Sequence, residues 1–288
     1  MAKKTYIGVA DKAEKVKKIY IGVDGVARKV KAAYIGVNGV AKKVFSASPA
    51  DMTVNYTGNY TDEIVTMGNG LQYRLLTLTS SGVLTLESFL GDVWLCGGGF
   101  NGQKSLEGKH AGNGGNGANF NQVNNTIISS RNVTVAAREG ISYFGDISSD
   151  SIAGAKGGTG AYISRAGYGG SAAAQSTQPF NDTYFTKYPC AGGGGGGMID
   201  FNQRGYGGGS GGSSIGNGET GDLFYGYGGA GGVTGGGKGG GVDNLTGKKG
   251  SYYGAGAGGG ALNNITDTEY NGGKGYQGVV FVRIPLNQ

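Results

Sequence analysis

Histidine and cysteine are almost absent from the sequence, and this scarcity limits the chemistry available to it. Of 288 residues one is a histidine, His110, and two are cysteines, Cys96 and Cys190. A histidine-based metal cluster is therefore excluded, and any histidine-assisted nucleophile would have to use His110 itself. The cysteines form neither a CxxC motif nor a metal-ligand spacing. We expect two free, buried thiols, and leave a pairing across the molecule open.

Long apolar runs are also missing, which excludes both a bilayer span and a secretory leader. The first residues, MAKKTYIGVADKAEKV, carry lysines and no apolar segment of leader length. The sequence therefore predicts synthesis in a reducing cytoplasm without membrane insertion. Any role outside the cell would come through assembly into a particle or through lysis.

Proline is scarce as well, with four residues, whereas glycine reaches 65 of 288, roughly three times ordinary usage. No G-X-Y period runs through the glycines, so a collagen triple helix is excluded. With 18 tyrosines and 10 phenylalanines, the chain is too rich in aromatic residues for a flexible low-complexity segment. We conclude that the glycines belong to a folded body.

No carboxylate pair or phosphate-binding loop stands out. Asp62, Glu63 and Glu139 were weighed as members of a glycosidase-type pair, but nothing in their spacing pairs them. The segment GQKSLEGK at residues 102–109 is one residue longer than a phosphate-binding loop and is followed by histidine rather than serine or threonine. We therefore predict no enzyme activity, no cofactor and no metal site.

Three copies of a fourteen-residue repeat open the chain. Tyr6, Tyr20 and Tyr34 each begin a Tyr-Ile-Gly-Val segment, and the second and third copies continue with Asp-Gly or Asn-Gly between β-branched residues. This pattern predicts β-hairpins with two-residue turns, while Ala-Asp-Lys in the first copy predicts a looser turn. Because a single hairpin is marginally stable in water, the three must pack together or against a partner.

The repeats are also the basic part of the chain. Residues 1–45 hold eleven Lys/Arg and three acidic residues, a net +8, which leaves 6 − 8 = −2 for the rest. This charge fits docking to an acidic surface or nucleic acid. It also fits lysines that keep exposed hairpin faces soluble, and we favour this second interpretation.

Over residues 6–45 the repeats resemble those in tail and other structural proteins of phages and prophages of Gram-positive bacteria. The Tyr-Ile-Gly-Val segment, the Asp/Asn-Gly turn and the Lys-Val tail that follows recur in register. The resemblance implies a virion protein whose residues 1–47 dock to other virion proteins. Tyr6, Tyr20 and Tyr34 are the candidate docking residues.

After a linker at residues 48–50, the body at residues 51–288 alternates strand patterns with glycine tracts. Near-continuous apolar runs at residues 93–96 and 279–284 predict two central strands of one β-sandwich. The tracts, with six glycines at 192–197, are either disordered linkers or extended helices with three residues per turn. In packed helices of that kind, backbone N–H and C=O groups pair with neighbouring helices, and we favour this form.

The order of these features resembles the glycine-rich domains of phage tail-fibre adhesins, and the glycine-rich extracellular region of some animal receptor kinases is similar. The match covers roughly residues 75–288. It rests on Val-Trp-Leu-Cys-Gly-Gly-Gly, on the six-glycine tract after Cys-Ala and on the final Gly-Tyr-Gln-Gly-Val-Val-Phe-Val-Arg. The family implies polyglycine II helices beside β structure, with variable loops at a tip. Here the tract at residues 97–100 is shorter than that family's usual first tract.

We therefore expect a mainly β chain, with tandem β-hairpins before a β-sandwich-like framework that carries packed polyglycine II helices. The expected function is a tail-fibre or adhesin-like virion component that binds a bacterial surface glycan or protein, and a homotrimer is compatible with a fibre. Tyr225, Tyr252 and Tyr253 are the receptor-binding candidates, and the alternative for each ring is packing on glycine backbone.

Two other functions stay open at this point. A purely structural joining or decoration protein would need no receptor. A Gly/Tyr-rich RNA-binding protein is disfavoured, because the chain has a single Arg-Gly-Tyr and its glycine-rich body is not basic.

Overall fold

The computed structural model describes residues 6–9, 12–15, 20–23, 26–30, 32–37, 40–46, 49–106, 110–162, 178–199, 205–206, 227–232, 235–241, 244–263, 266 and 268–286. Over these residues the chain forms twenty β-strands and two single-turn 3-10 helices, Pro49–Asp51 and Pro179–Asn181. The mainly β fold class is confirmed.

Within the described part of the repeats, six strands form three antiparallel hairpins. Their bounds are β1 (Tyr6–Val9), β2 (Lys12–Lys15), β3 (Tyr20–Val23), β4 (Val26–Lys29), β5 (Ala32–Val37) and β6 (Val40–Ser46). The innermost register pairs are Val9 with Lys12, Val23 with Val26, and Val37 with Val40. Two residues therefore separate the innermost register pairs in each copy. The turn residues themselves lie outside the described residues, so the looser turn expected for the first copy stays a prediction.

Two five-stranded sheets form a β-sandwich after the hairpins. The remaining strands are β7 (Asn55–Tyr56), β8 (Tyr60–Thr66), β9 (Gln72–Leu78), β10 (Gly82–Thr85), β11 (Phe89–Cys96), β12 (Phe120–Ile128), β13 (Arg131–Thr134), β14 (Tyr143–Phe144), β15 (Ile147–Ser148), β16 (Met198–Ile199), β17 (Gly205–Tyr206), β18 (Leu262–Asn263), β19 (Thr268–Glu269) and β20 (Val279–Pro285). One sheet has the order β15-β14-β13-β10-β7 and the other β12-β11-β20-β9-β8. The predicted central strands are β11 and β20, which pair with each other inside the second sheet.

The second sheet is buried on both faces, which explains the near-continuous apolar runs of its central strands. One face contributes Leu76, Val93 and Val282 to a core shared with Leu84 and Phe144 of the first sheet. The opposite face is aromatic. It places Trp94, Phe120 and Phe281 in a second apolar cluster with Phe180, Phe185 and Cys190, which precede the longest glycine tract. The sandwich and the glycine-rich region are thus joined by an apolar interface.

The glycine-rich region consists of extended backbone segments that pack side by side. We call the nine described segments rods, and together the glycine bundle. In chain order, rods 1 to 9 are residues 97–106, 110–119, 152–162, 190–197, 227–232, 235–241, 244–250, 254–261 and 270–278. Their backbone hydrogen bonds run between rods rather than along them.

Rod 8 lies at the centre of the bundle and shows a hydrogen-bond period of three residues. Its N–H groups donate to rods 4, 1 and 7 in turn: Gly256 and Gly259 to rod 4, Ala257 and Gly260 to rod 1, Gly258 and Ala261 to rod 7. Its carbonyl groups accept from rods 2, 9 and 6 in turn, again with a period of three residues. One rod is therefore bonded to six others, and its buried backbone groups are paired without any sheet.

Glycine is required in this packing because the rods approach backbone to backbone. A Cβ built on Gly259 would overlap the carbonyl group of Gly112 in rod 2, and one on Gly102 would overlap the carbonyl group of Gly258. These neighbours are main-chain atoms and cannot rotate away as side chains do. The tracts thus fill the interior with backbone where an ordinary core uses apolar side chains.

A small four-stranded sheet, ordered β17-β16-β18-β19, closes the bundle at the end away from the sandwich. Rod 4 continues into β16 and rod 8 into β18, and these strands pair in parallel, with Met198 opposite Leu262. Both side chains are buried with Ala111 and Ala161 in an apolar cluster. This cluster joins the rods at the end that the sandwich does not contact.

Candidate functional site

At the end of the bundle that carries the small sheet, here the far end, the described ends of the rods lie side by side. Rods 1, 3, 4, 6 and 8 run towards it and rods 2, 5, 7 and 9 return from it, as their antiparallel and parallel hydrogen bonds require. Its described boundary residues are Leu106, Tyr162, Met198, Gly241 and Leu262. Because the rods are hydrogen-bonded to one another, these ends form a common platform.

Two side-chain contacts at the far end join neighbouring rods. The rings of His110 and Tyr162 lie 5.2 Å apart between centroids, and Nδ1 of His110 is 2.8 Å from the Ala111 carbonyl oxygen. Lys104 Nζ is 2.5 Å from Glu269 Oε2. The histidine thus lies against an aromatic ring and a carbonyl group, and among the described residues no serine or cysteine side chain is hydrogen-bonded to it.

The segment at residues 102–106, weighed as part of a phosphate-binding loop, is instead part of rod 1. Its amides are directed into the bundle, with Gly102 N donating to the Gly273 carbonyl and Gln103 N to the Asn113 carbonyl. A phosphate cradle needs backbone N–H groups that point at the ligand. The N–H groups of Gly102 and Gln103 point at neighbouring rods instead, and therefore do not form such a cradle.

A groove of about 260 Å³ lies on the outer surface near the far end. Tyr227 of rod 5, Lys238 of rod 6 and Asn244 and Lys248 of rod 7 line it, together with three glycines. The two lysines lie at the same height on neighbouring rods, because Lys248 N donates to the Lys238 carbonyl oxygen at 2.8 Å. Both side chains are exposed, and among the described residues neither forms an ion pair.

Tyr252 and Tyr253 lie at the opposite end of the bundle, beside the sandwich. Tyr253 packs edge-on against Phe281 and Tyr276, and Tyr252 has its ring 4.9 Å from that of Tyr253. Burial raises the pKa of Tyr252 to about 12, with smaller contributions from Tyr253 and Cys96. These contacts join the two rings to other aromatic side chains, and packing on glycine backbone, the alternative foreseen for each ring, stays a prediction. Their receptor role stays a prediction, and Tyr225 lies outside the described residues.

The docking candidates Tyr6, Tyr20 and Tyr34 occupy equivalent strand positions. Each lies opposite a lysine of the partner strand, namely Lys15, Lys29 and Lys43. The backbone therefore repeats a Tyr–Lys pair in every hairpin, and the docking role of these residues stays a prediction.

Two of the three acidic residues considered for catalysis, Asp62 and Glu139, form structural contacts. Asp62 accepts two hydrogen bonds from Arg74, at 2.7 and 2.5 Å, and Glu139 accepts one from the amide of Asn101 at 2.8 Å. Within the described residues no three His, Cys, Asp or Glu side chains gather as a metal site. In that same part of the chain, no helix has the length and apolar character needed to cross a bilayer.

Cys96 and Cys190 are free thiols, as predicted, and both are fully buried where rod 4 leaves the sandwich. A Cβ on Gly254 would lie 3.0 Å from the sulfur of Cys190 and 3.1 Å from that of Cys96. Burial raises the pKa of Cys190 well above its ordinary value, and a hydrogen bond to Cys96 adds to the effect. The thiolate is the reactive form, so both features suppress reaction at neutral pH.

We expect the native protein at pH 8 to react with a disulfide reagent such as DTNB at least about a thousandfold more slowly than the unfolded chain, because reaction requires unfolding. Both thiols should react at once in denaturant. A Thr66→Cys variant supplies the exposed control, since Thr66 lies exposed on β8. Equal native rates for the original thiols and the introduced one would contradict the buried placement.

The chain matches no protein-family model, no curated protein and no solved structure.

Sequence reasoning missed the groove, although one signal in the sequence points to it. Lys238 and Lys248 are each flanked by glycine on at least one side, in tracts where only glycine fits between rods. A long charged side chain in such a tract must face outward. The sequence could therefore have placed both lysines on the surface, but not beside each other.

Proposed function

We propose that this protein is a virion attachment component of the tail-fibre or adhesin type. The N-terminal hairpins dock it to the particle, and the body presents a binding surface to a bacterial cell. The observation that carries the proposal is that the cross-bonded rods present their described ends side by side at the far end, away from the sandwich. A rigid scaffold that displays chain segments at one end is a common design for recognition.

The rods are best described as polyglycine II helices. An extended helix with three residues per turn sends successive N–H groups in three directions, and this accounts for the way rod 8 donates to rods 4, 1 and 7 in turn. Glycine loses more conformational freedom on folding than any other residue. The sandwich at one end and the Met198–Leu262 cluster at the other offset this cost by fixing the rod ends.

Binding of the fluorescently labelled protein to a panel of bacteria, Gram-positive species first, tests the proposal. The chain cut to residues 49–288 keeps the Pro49 carbonyl that Arg74 binds, and all three apolar clusters lie within it. We expect this body to bind the same cells as the full chain. Binding by the full chain but not by the body would place recognition in the hairpins. No binding across the panel would favour a purely structural joining protein.

A further inference from the structure

We propose that the groove between rods 5, 6 and 7 binds an acidic sugar unit, one that bears a carboxylate or a phosphate, within a polysaccharide. The proposal rests on the attachment function above and names the chemical class of its ligand. Three features carry it: paired cationic groups, an aromatic wall and a bounded volume.

The cationic groups are the ammonium groups of Lys238 and Lys248. Hydrogen bonds from an ammonium group to a carboxylate or phosphate are about twice as strong as neutral ones. The residues 46–288 carry a net charge of −2, so this pair is a local positive site on a weakly acidic body. Within the described residues no carboxylate forms an ion pair with either lysine.

The aromatic wall is Tyr227, half-buried at the start of rod 5. A tyrosine ring offers an apolar face for the C–H groups of a sugar. Asn244, which also lines the groove and is exposed, carries an amide able to donate and accept hydrogen bonds. The lining therefore combines groups for the anion, the ring face and the hydroxyl groups of one sugar.

The bounded volume favours a saccharide over a single-stranded nucleic acid. At about 260 Å³ the groove is slightly smaller than pockets that enclose drug-sized ligands, which begin near 300 Å³. Nucleic acid binds along a continuous basic track with several stacking rings, whereas this groove offers two lysines and one ring.

Isothermal titration calorimetry of the full chain tests the ligand class. The probes are trigalacturonate for the carboxylate, glucose 6-phosphate for the phosphate, maltotriose as the neutral sugar and a hexathymidine oligonucleotide. We expect at least one acidic sugar to bind more tightly than maltotriose, and binding to weaken as salt rises from about 0.05 to about 0.5 M. Tightest binding by the oligonucleotide would overturn the proposal in favour of a nucleic-acid site.

Substitutions locate the site. Lys238→Gln and Lys248→Gln should each weaken binding of the acidic sugar about tenfold, because each removes one charged hydrogen bond. Lys156→Gln is the matched control, since Lys156 is equally exposed on rod 3, whose bonds run to rods 2 and 4. Equal weakening by all three variants, or by none, would overturn the groove as the site.

The same variants on cells separate this proposal from the attachment function. If the wild type binds cells and the Lys238→Gln/Lys248→Gln double variant does not, both proposals stand. If the double variant binds cells as well as the wild type, the groove proposal falls and attachment remains. If the wild type binds no cells, attachment falls, and the acidic-sugar titration alone decides on the groove.

Discussion

Replacing Gly259 by alanine should prevent the glycine bundle from closing. Gly259 lies in rod 8, where its N–H donates to Gly194 and its carbonyl accepts from Gly240. The added methyl group would overlap the Gly112 carbonyl, and Asn113 O would stand 2.6 Å away. Overpacking an ordinary core costs about 1–3 kcal/mol because side chains can shift. Here only backbone can move, so we expect a loss of more than about 3 kcal/mol in the free energy of unfolding.

Urea unfolding of the full chain measures the effect, with Gly140→Ala as the control. Gly140 is exposed, and its added methyl group would meet nothing closer than the Cβ of Ala136 at 3.3 Å. Its substitution should change the free energy of unfolding by less than about 1 kcal/mol. A Gly259→Ala protein as stable as the Gly140→Ala protein would show that the rods do not pack as described.

Arg283→Met should lower stability almost as much, because it leaves two carboxylates without their cationic partner at the sandwich end of the bundle. Arg283 Nε lies 2.7 Å from Asp92 Oδ2, and an Nη atom lies 3.6 Å from Asp182 Oδ2. Its guanidinium also covers the rings of Tyr73 and Phe180, at 5.0 and 4.4 Å. Removing one partner of a buried ion pair costs about 3–5 kcal/mol. We expect a fall in Tm of roughly 10 °C for a body of this size.

Two further variants separate charge from packing at this position. Lys104→Met breaks an exposed ion pair with Glu269, which should contribute no more than about 1 kcal/mol. Adding Asp182→Asn to Arg283→Met should recover part of the lost stability, since one unpaired carboxylate is then neutral. Thermal unfolding followed by circular dichroism provides the comparison. If Arg283→Met lowered Tm by no more than Lys104→Met does, the ion pairs of Arg283 would not be important for stability.

The sequence predicts the centre of the sandwich better than its edges. The apolar runs of β11 and β20 identify both strands, because burial on two faces leaves a strong signal. The edge strands β8 and β12 were missed, since each has one exposed side and mixes polar with apolar residues, as in FNQVNNTII of β12. Their place is set by pairing with β9 and β11, which is not encoded in their own pattern.

The glycine bundle is predictable in kind but not in arrangement. The tracts predict that backbone packs against backbone, yet their order around rod 8 depends on hydrogen bonds between identical main-chain groups. Without side chains, a tract carries no pattern that distinguishes one neighbour from another. For this reason Tyr252 and Tyr253, which lie between tracts just as Tyr227 does, could not be assigned to the sandwich end from the sequence. The position of the groove lining was hidden for the same reason.

The placement of β20 has a consequence for how the chain is made. This strand leaves the ribosome after the other described strands, yet it lies between β11 and β9 and pairs with both. A nascent chain that has not reached Pro285 lacks the strand that joins β11 to β9, so the sandwich core cannot close during translation of the body. Folding therefore waits for completion of the body, and a prematurely terminated chain would stay unfolded and open to cellular proteases.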